Sequence, residues 1–258
     1  MTPKLALITG STSGIGLGIA KKLAQEGHQI ILNGLNTPSI QNVIDDVQAL
    51  TPHPVFYDAT DLTNLTAIET MVQTITDTMG SIDILINNAG LQFVSPLPTF
   101  PTEKWDTIIA LNLSAVFHTM RLIIPSMTAK KWGRIINMAS AHALVASPFK
   151  AAYVAAKHGV AGLTKVAALE VAKENITVNA ICPGYVHTAL VEGQIENTAL
   201  SRGISREAVI QDVMLGNQAT KKFVTIEEVA NLVAFLCQET TSSITGSLLS
   251  IDGGWTAH

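Results

Sequence analysis

A glycine turn between two strand-like runs near the start of the chain constrains the fold more than any other feature. Residues 5–9 are apolar enough for a buried strand, and they lead into Gly-Ser-Thr-Ser-Gly-Ile-Gly at 10–16. An amphipathic helical pattern follows and ends just before a second strand-like run, Gln29–Asn33. Strand, turn, helix and strand within about 30 residues predict a βαβ unit, whose helix N-terminus suits a pyrophosphate. A glycine turn that only packs is the alternative.

Strand-like and helical patterns then alternate to the end of the chain. The strand-like runs are 54–58, 82–87, 134–139, 176–181 and 247–251, and the helical patterns are 38–50, 64–79, 103–129, 151–173 and 225–238. These units predict an α/β fold, a single Rossmann-type domain over 1–258 with a doubly wound parallel sheet of about seven strands and helices on both faces. Residues 184–220, polar and irregular with short helical pieces, follow the carboxyl end of a strand, where ligands bind in such sheets. We therefore expect a substrate lid there.

Residues 137–157 carry a candidate catalytic group. Ser140 ends an apolar run, and Tyr153 and Lys157 lie four residues apart in an Ala-rich helical pattern, so they share one helix face. A neighbouring ammonium favours the phenolate and lowers the tyrosine pKa from about 10, which lets the pair exchange a proton with a substrate hydroxyl. Ser140 could hold the substrate oxygen. Because Tyr-x-x-x-Lys is a weak motif by itself, a surface pair without function is the alternative.

Composition argues against several classes of protein. Hydrophobic residues make up 47% of the chain and charged residues 14%, which predicts a large core and further surface buried between subunits. A net charge of −4 without a basic cluster argues against a nucleic-acid partner. Cys182 and Cys237 lack the spacing of a disulfide framework or a metal site, so no metal is expected. Without a signal peptide or an apolar run of about 18 residues, we expect a soluble cytoplasmic protein with no membrane partner.

A set of motifs resembles the short-chain dehydrogenase/reductases in order and approximate spacing, over the whole chain. The motifs are Gly10-x-x-x-Gly14-x-Gly16, Asn87-Asn-Ala-Gly90, Asn112, Ser140, Tyr153-x-x-x-Lys157 and Pro183-Gly184. The resemblance implies a nicotinamide-dependent enzyme, a homotetramer, and a catalytic tetrad of Asn112, Ser140, Tyr153 and Lys157. It also implies that Asn112 anchors a water relaying protons from Lys157, which hydrogen-bonds the nicotinamide ribose. A core Asn112 satisfied by its own backbone is the alternative.

The same resemblance implies a set of cofactor-binding residues. They are Gly10, Thr12, Ser13, Gly14, Ile15, Gly16, Leu35, Asp61, Leu62, Asn88, Ala89, Gly90, Tyr153, Lys157, Pro183, Gly184, Val186 and Thr188. Neither the glycine turn nor the end of the second strand supplies an Arg or Lys for a 2′-phosphate, so we predict NAD, although the acidic residue typical of NAD-binding relatives is also missing. Leu35 is expected to pack against the adenosine, and Thr188 to bond the nicotinamide carboxamide. Asp61 is expected at the adenine, with a turn or helix cap as its alternative role.

Polar side chains around the predicted pocket indicate the substrate. Ser140 and Tyr153 are joined there by Gln92, His142, Lys150 and Gln194. One cation and several neutral donors suit a small carboxylate, although each residue taken singly is more often a solvated loop residue. The set is similar to that of the D-3-hydroxybutyrate dehydrogenases, a group within the family, which implies reversible NAD-dependent oxidation of (R)-3-hydroxybutyrate to acetoacetate. Tyr185 departs from that group, which often has Trp there, and Trp255 either closes the pocket or packs in the core.

Two other functions stay open. An NADPH-dependent 3-oxoacyl or other carbonyl reductase of the same family is disfavoured by the missing cation and by the presence of His142 and Lys150. An inactive dinucleotide-sensing scaffold on the same fold is disfavoured by the intact tetrad.

Overall fold

The strands of the protein form one parallel sheet. The computed structural model describes residues 3–257, except for the side chains of residues 190, 197, 201 and 202. The strands are β1 (Leu5–Ile8), β2 (Gln29–Asn33), β3 (Phe56–Asp58), β4 (Ile84–Asn87), β5 (Gly133–Met138), β6 (Ile176–Pro183) and β7 (Leu248–Ile251). Their order across the sheet is β3-β2-β1-β4-β5-β6-β7, and each neighbouring pair is parallel. The sheet winds outward in two directions from β1, so the predicted doubly wound α/β fold is confirmed.

Helices cover both faces of the sheet. They are α1 (Gly14–Gln25), α2 (Ile40–Gln48), α3 (Leu65–Met79), α4 (Thr102–Ile109), α5 (Ala115–Lys130), α6 (Ala151–Val171), α7 (Ala189–Arg202), α8 (Arg206–Ala208) and α9 (Ile226–Leu236). Successive strand side chains point to opposite faces, and Leu7 and Ile8 accordingly lie in two different apolar clusters. One cluster joins the sheet to α3, α5 and α6, and the other joins it to α1 and α9. The inner strands β1, β2, β4, β5 and β6 are therefore buried on both faces, which is why they read as continuous apolar runs.

The long helical region predicted at 103–129 contains an irregular turn. A π-helical turn, Ala110–Ser114, separates α4 from α5. In the described part of the chain, residues 102–130 form the one helical stretch long and apolar enough to cross a membrane. Its side chains Met120, Ile123 and Met127 pack against the sheet, as in the core helix of a globular domain.

Residues 184–220 are more regular than the sequence indicated. They contain α7, a helix of 14 residues that is capped by Thr188, whose hydroxyl accepts a hydrogen bond from the amide of Val191. Val191 and Ile195 of α7 pack against Val209 and residues 213–215 in a small separate apolar cluster. The prediction of irregular structure was wrong here because the apolar side chains of this cluster are divided between two segments. Neither segment alone shows a long amphipathic pattern.

The two ends of this segment are held together at its base. The side chain of Gln218 is fully buried; its Oε1 accepts from the amide of Tyr185 at 2.7 Å, and its Nε2 donates to the carbonyl of Lys222 at 2.5 Å. Val186 and Val224 form an isolated parallel bridge beside it. A Cβ at Gly184 would lie 2.5 Å from Gln218 Oε1, so the chain can enter the segment this closely only as glycine.

Candidate active site

A cavity of about 760 Å³ opens at the carboxyl ends of the strands. It is walled by the turns after β1, β2, β4, β5 and β6, by α6, and by the segment containing α7. The residues predicted to bind cofactor or substrate line this cavity, with the exception of Gly16, and so do the catalytic candidates apart from Asn112. The topology thus brings side chains from most of the chain to one edge of the sheet, where ligands bind in doubly wound folds.

The glycine turn after β1 is fixed by its own backbone and by β4. Gly10 and Gly14 have φ values of +59° and +54°, a conformation that favours glycine. A Cβ at Gly16 would lie 2.3 Å from the carbonyl oxygen of Gly10. Asn88 Nδ2 donates to the carbonyls of Thr9 and Gly10 at 3.0 and 2.9 Å, which ties the turn to the end of β4. The turn thus places the N-terminus of α1 in the cavity wall, with the shape that a dinucleotide pyrophosphate requires.

The far end of the cavity, next to β2, is neutral apart from one carboxylate. Leu35 is 68% exposed there, beside Gly34. Asp61 lines the cavity, but its Oδ1 also accepts from the amide and hydroxyl of Thr63 at 2.9 and 2.8 Å, so it forms the turn that was its alternative role. Among the described lining residues, the two Lys side chains, Lys150 and Lys157, lie at the other end, and no Arg is present. The described lining residues at this end therefore offer no cation to a 2′-phosphate.

Ser140, Tyr153 and Lys157 converge at the other end of the cavity. Tyr153 is hydrogen-bonded to Ser140, which lowers the pKa of the phenol, but burial has the larger effect and raises it overall. Lys157 Nζ lies 5.6 Å from the centre of the Tyr153 ring and donates to the carbonyl of Met138 at 2.6 Å. Burial lowers the pKa of Lys157 to about 8. In the protein alone the ammonium of Lys157 is directed at Met138, so its predicted effect on the tyrosine pKa stays a prediction.

Asn112 lies in the π-helical turn and is fully buried. Its side-chain oxygen accepts from the amide of Leu91 at 3.0 Å, and its nitrogen donates to the Leu91 carbonyl at 2.9 Å. Asn112 is thus satisfied by backbone, but by the loop after β4 rather than by its own helix. The same loop carries Gly90, where a Cβ would come within 3.3 Å of Asn112 Oδ1. Asn112 therefore holds this part of the cavity wall.

Asn87 and Asn88 have different roles. Asn88 bonds the backbone of the glycine turn. Asn87 instead bonds two side chains, donating to Asn137 Oδ1 at 2.9 Å and accepting from Thr119 at 2.7 Å. These bonds link β4 to β5 and to α5 below the cavity.

Lys150 is a buried cation without a carboxylate partner. Its side chain is 8% exposed, and Nζ donates to the hydroxyl of Tyr185 at 2.9 Å. None of the described Asp or Glu side chains forms an ion pair with it. Burial lowers the pKa of Lys150 to about 8. Tyr185 in turn stacks on Trp255 with ring centres 5.6 Å apart, so Trp255 both lines the cavity and packs.

His142 is a neutral side chain held between two serines. Its Nδ1 lies 3.3 Å from Ser140 Oγ and its Nε2 lies 2.9 Å from Ser147 Oγ. Burial, aided by the charge of Lys150, lowers the pKa of His142 to about 3. Both ring nitrogens contact the protein, and His142 also lines the cavity, so its role in substrate binding stays a prediction. Ser147 had no signal in the sequence, because it lies in a loop of small residues with no recognisable motif.

The two glutamines of the predicted substrate site also line the cavity. Gln92 comes from the loop after β4, and Gln194 comes from α7. Gln92 Nε2 is buried and has no hydrogen-bond partner among the described residues. A buried donor without a partner is costly, so this amide is available to an acceptor in the cavity.

The described residues include no group of three or more His, Cys, Asp or Glu side chains that could hold a metal ion. Cys182 and Cys237 are both free and buried. Burial raises the pKa of Cys182 to about 11 and that of Cys237 to about 12, so both are thiols at neutral pH.

Comparison with known proteins identifies the family to which this arrangement belongs. Residues 4–199 match the family model described as short chain dehydrogenase. The chain is 56% identical over 256 residues to a D-beta-hydroxybutyrate dehydrogenase of Rhizobium meliloti, covering 99% of each chain. It is 48% identical over 255 residues to the protein of the same name from Cupriavidus necator, covering 99% of this chain and 98% of the relative.

A solved structure of known activity has the same fold as this protein. The L-sorbose reductase of Gluconobacter frateurii, in complex with NADPH and L-sorbose, superposes with a TM-score of 0.93 at 30% identity and covers 100% of this chain and 98% of its own. Members of the family bind a nicotinamide dinucleotide, and the cavity at the glycine turn fits one. The resemblance drawn from the motifs is confirmed: the chain belongs to the short-chain dehydrogenase family of oxidoreductases.

Proposed function

We propose that the protein catalyses the reversible oxidation of (R)-3-hydroxybutyrate to acetoacetate with NAD. The observation that carries the proposal is the buried ammonium of Lys150, whose described partner is the neutral hydroxyl of Tyr185. A buried charge is unfavourable unless an opposite charge reaches it. The carboxylate of a small hydroxy acid supplies that charge beside Ser140 and Tyr153, and the names of the two relatives agree with it.

Side chains around the cavity supply the proposed chemistry. Tyr153 accepts the hydroxyl proton of the substrate as a phenolate, after its own proton has left by way of Lys157, and Ser140 donates a hydrogen bond to the oxygen as it becomes a carbonyl. Lys157 bears the proton to be relayed, and Asn112 fixes the loop beside it. The amides of Gln92 and Gln194 and the neutral imidazole of His142 donate to the substrate carboxylate together with Lys150. NAD, when bound, accepts the hydride released from C3 of the substrate.

The cofactor preference is part of the proposal. The dinucleotide would lie along the glycine turn, with its adenosine at Leu35 and Asp61 and its nicotinamide ribose at Lys157. Because the end next to β2 has no cation among its described lining residues, a 2′-phosphate would lose its hydration without a partner. This favours NAD over NADP, and it disfavours the NADPH-dependent reductase, as do the names of the relatives at 56% and 48% identity.

Three further expectations belong to the same proposal. Residues 184–220 close over the substrate, which is supported by Thr188 and Gln194 in the cavity wall. The protein is a homotetramer, for which exposed apolar residues on α5 and α6 such as Phe117 and Leu169 offer surface. A cytoplasmic location without membrane or nucleic-acid partners stays a prediction.

A substrate panel tests the proposed function. Both enantiomers of lactate, 2-hydroxybutyrate and 3-hydroxybutyrate would be offered with NAD and with NADP, and the reduced nicotinamide followed by absorbance. We expect the highest kcat/KM for (R)-3-hydroxybutyrate with NAD, by at least about tenfold over every other pair. Faster reduction of a 3-oxoacyl thioester with NADPH would favour the reductase instead, and no turnover on any substrate would favour the inactive scaffold.

A further inference from the structure

We infer that Gln218 is a positioning residue, which fixes Tyr185 and through it the ammonium that receives the substrate carboxylate. The Gln218 side chain is fully buried, and it lies behind the cavity wall rather than in it. Its Oε1 accepts from the amide of Tyr185 at 2.7 Å, and the hydroxyl of Tyr185 accepts from Lys150 Nζ at 2.9 Å. The inference rests on the proposed role of Lys150 in binding the carboxylate.

The backbone of Tyr185 is held on both sides. Its amide donates to Gln218, and its carbonyl accepts from the amide of Val224 at 2.9 Å. Gln218 is itself held, because its carbonyl accepts from the amide of Lys221 and its Nε2 donates to the carbonyl of Lys222. A side-chain amide supplies both the acceptor and the donor that these backbone groups require. The direction in which the Tyr185 side chain leaves the backbone is therefore set by Gln218 and Val224.

The same amide also lies beside the turn that carries Trp255. A Cβ at Gly184 would lie 2.5 Å from Gln218 Oε1, and a Cβ at Gly253 would lie 3.3 Å from its Nε2. Gly184 precedes Tyr185, and Gly253 lies two residues before Trp255. The rings of Tyr185 and Trp255 are stacked, with an interplanar angle of 6°. Gln218 is therefore adjacent to both chain segments that carry the stacked rings.

The position of Tyr185 matters because of how an ammonium binds a ligand. The Lys150 ammonium has three hydrogens to donate, and one of them is donated to the Tyr185 hydroxyl. With Tyr185 held in place, the other two keep a fixed direction, and a carboxylate binds without first ordering a long side chain. If Tyr185 shifts, that ordering must occur on binding, and the affinity for the carboxylate falls.

Substitution at Gln218 tests the role by kinetics. Gln218→Met removes both side-chain bonds at similar size. It should raise KM for 3-hydroxybutyrate by about fivefold and change kcat and the KM for NAD by less than about twofold, because the carboxylate is bound equally before and during the reaction. Equal changes in kcat and in KM for 3-hydroxybutyrate, or an unchanged KM, would overturn the inference.

Asn179 provides a matched control. It is also fully buried, and its amide also joins two backbone groups, the carbonyl of Ile244 at 2.6 Å and the amide of Ser247 at 3.1 Å. It lies outside the cavity wall. Asn179→Leu should therefore keep KM for 3-hydroxybutyrate within about twofold of the wild type, since it loses no contact to the binding site. A rise as large as that in Gln218→Met would mean that loosening of the fold raises KM, against the inference.

A double-mutant cycle with Tyr185 separates positioning from general loosening. The Tyr185→Ala enzyme lacks the group through which Gln218 acts, so Gln218→Met should raise KM there by less than about 1.5-fold. Loosening of residues 184–220 would instead multiply KM by the same factor in both backgrounds, which contradicts the inference. If Gln218→Met does not fold, Gln218→Glu replaces it. The carboxyl group keeps an oxygen for the Tyr185 amide, so KM should stay within about twofold of the wild type, and a larger rise overturns the inference.

Near-ultraviolet circular dichroism tests the inference without turnover. The stack of Tyr185 on Trp255 holds two rings in a fixed asymmetric arrangement, and the difference between the wild type and Trp255→Phe gives its contribution to the spectrum. This contribution should be lost in Gln218→Met and kept in Asn179→Leu; its retention in Gln218→Met would refute the role of Gln218. If the substrate panel finds no hydroxy acid that is turned over, the proposed function fails, and the spectra still decide whether Gln218 fixes Tyr185.

Discussion

The two ends of the cavity recognise their ligands by different physical means. Next to β2 the wall is built from backbone, with glycines at positive φ and no cation among its described lining residues. At the other end the wall is built from side chains, with two buried lysines and a neutral imidazole. We therefore expect shape to decide binding at the first end and charge at the second. Substitutions that remove charge from the second end, or add charge to the first, should test this difference most directly.

The largest effect is expected at Tyr153, which carries the proposed proton transfer at the second end. Tyr153→Phe removes the group that exchanges the proton and should lower kcat for 3-hydroxybutyrate by about a thousandfold. Fluorescence titration should show NADH binding within about threefold of the wild type, because the first end is unaltered. Turnover near the wild-type rate would refute the proposed mechanism.

Removing the charge of Lys150 should impair substrate binding. Lys150→Ala is expected to raise KM for 3-hydroxybutyrate by about 10- to 100-fold, the usual cost of a lost charge-assisted bond, with a smaller change in kcat. Lys21→Ala is the control, since Lys21 pairs with Asp46 on the surface. An unchanged KM in Lys150→Ala would mean that the carboxylate lies elsewhere.

The second end should also respond to pH. Burial disfavours the ammonium and lowers the pKa of Lys150 from its ordinary 10.5 to about 8, so the charge is present below that pH and lost as pH rises through it. kcat/KM for 3-hydroxybutyrate should therefore fall above about pH 8, by up to about tenfold per pH unit. Lys157 titrates in the same range, so Lys150→Arg is needed for comparison. The arginine stays charged, and its profile should fall later or less steeply; identical profiles would exclude Lys150 as the titrating group.

A cation introduced at the first end should weaken the preference for NAD. Leu35→Arg places a guanidinium where the side chain is exposed beside Gly34, and kcat/KM with NADP should rise by about tenfold. Leu97→Arg, at an equally exposed leucine outside the cavity wall, controls for net charge. If the two variants raise NADP use equally, the effect is not a local contact.

The smallest effect is expected at Tyr185, which orients the charge of the second end. Tyr185→Phe removes the acceptor of the Lys150 ammonium and should raise KM for 3-hydroxybutyrate by about threefold. Tyr57→Phe, which loses a 2.8 Å bond to the Gly34 carbonyl, is the matched control. Equal changes of KM in both variants would point to general loosening of the fold.

Features that depend on backbone and local pattern could be predicted from the sequence, whereas contacts between distant side chains could not. The bounds of β2 agree with the prediction, and the glycine turn lies between β1 and α1 as its spacing predicted. Lys150 and Gln92 were located through the family resemblance. The bond from Lys150 to Tyr185 and the contact of His142 with Ser147 depend on how separate elements pack. The role of Gln218 could not be predicted, because Gln218 lies in no recognisable motif. Its side chain binds two backbone groups that only the fold brings together.

The two hydrogen bonds of the buried Gln218 side chain have a consequence for how the protein unfolds. Residues between Gly184 and Val224 are closed at the base by one buried amide and have their own apolar cluster, separate from the two clusters that flank the sheet. Such a segment can open as a cooperative unit of lower stability while the strands keep their hydrogen bonds. Because the open loop remains tethered at both ends, closing it again costs little chain entropy. Heat or denaturant should therefore unfold this segment first, and a protease should cleave it first. The loss of activity should precede the loss of the sheet.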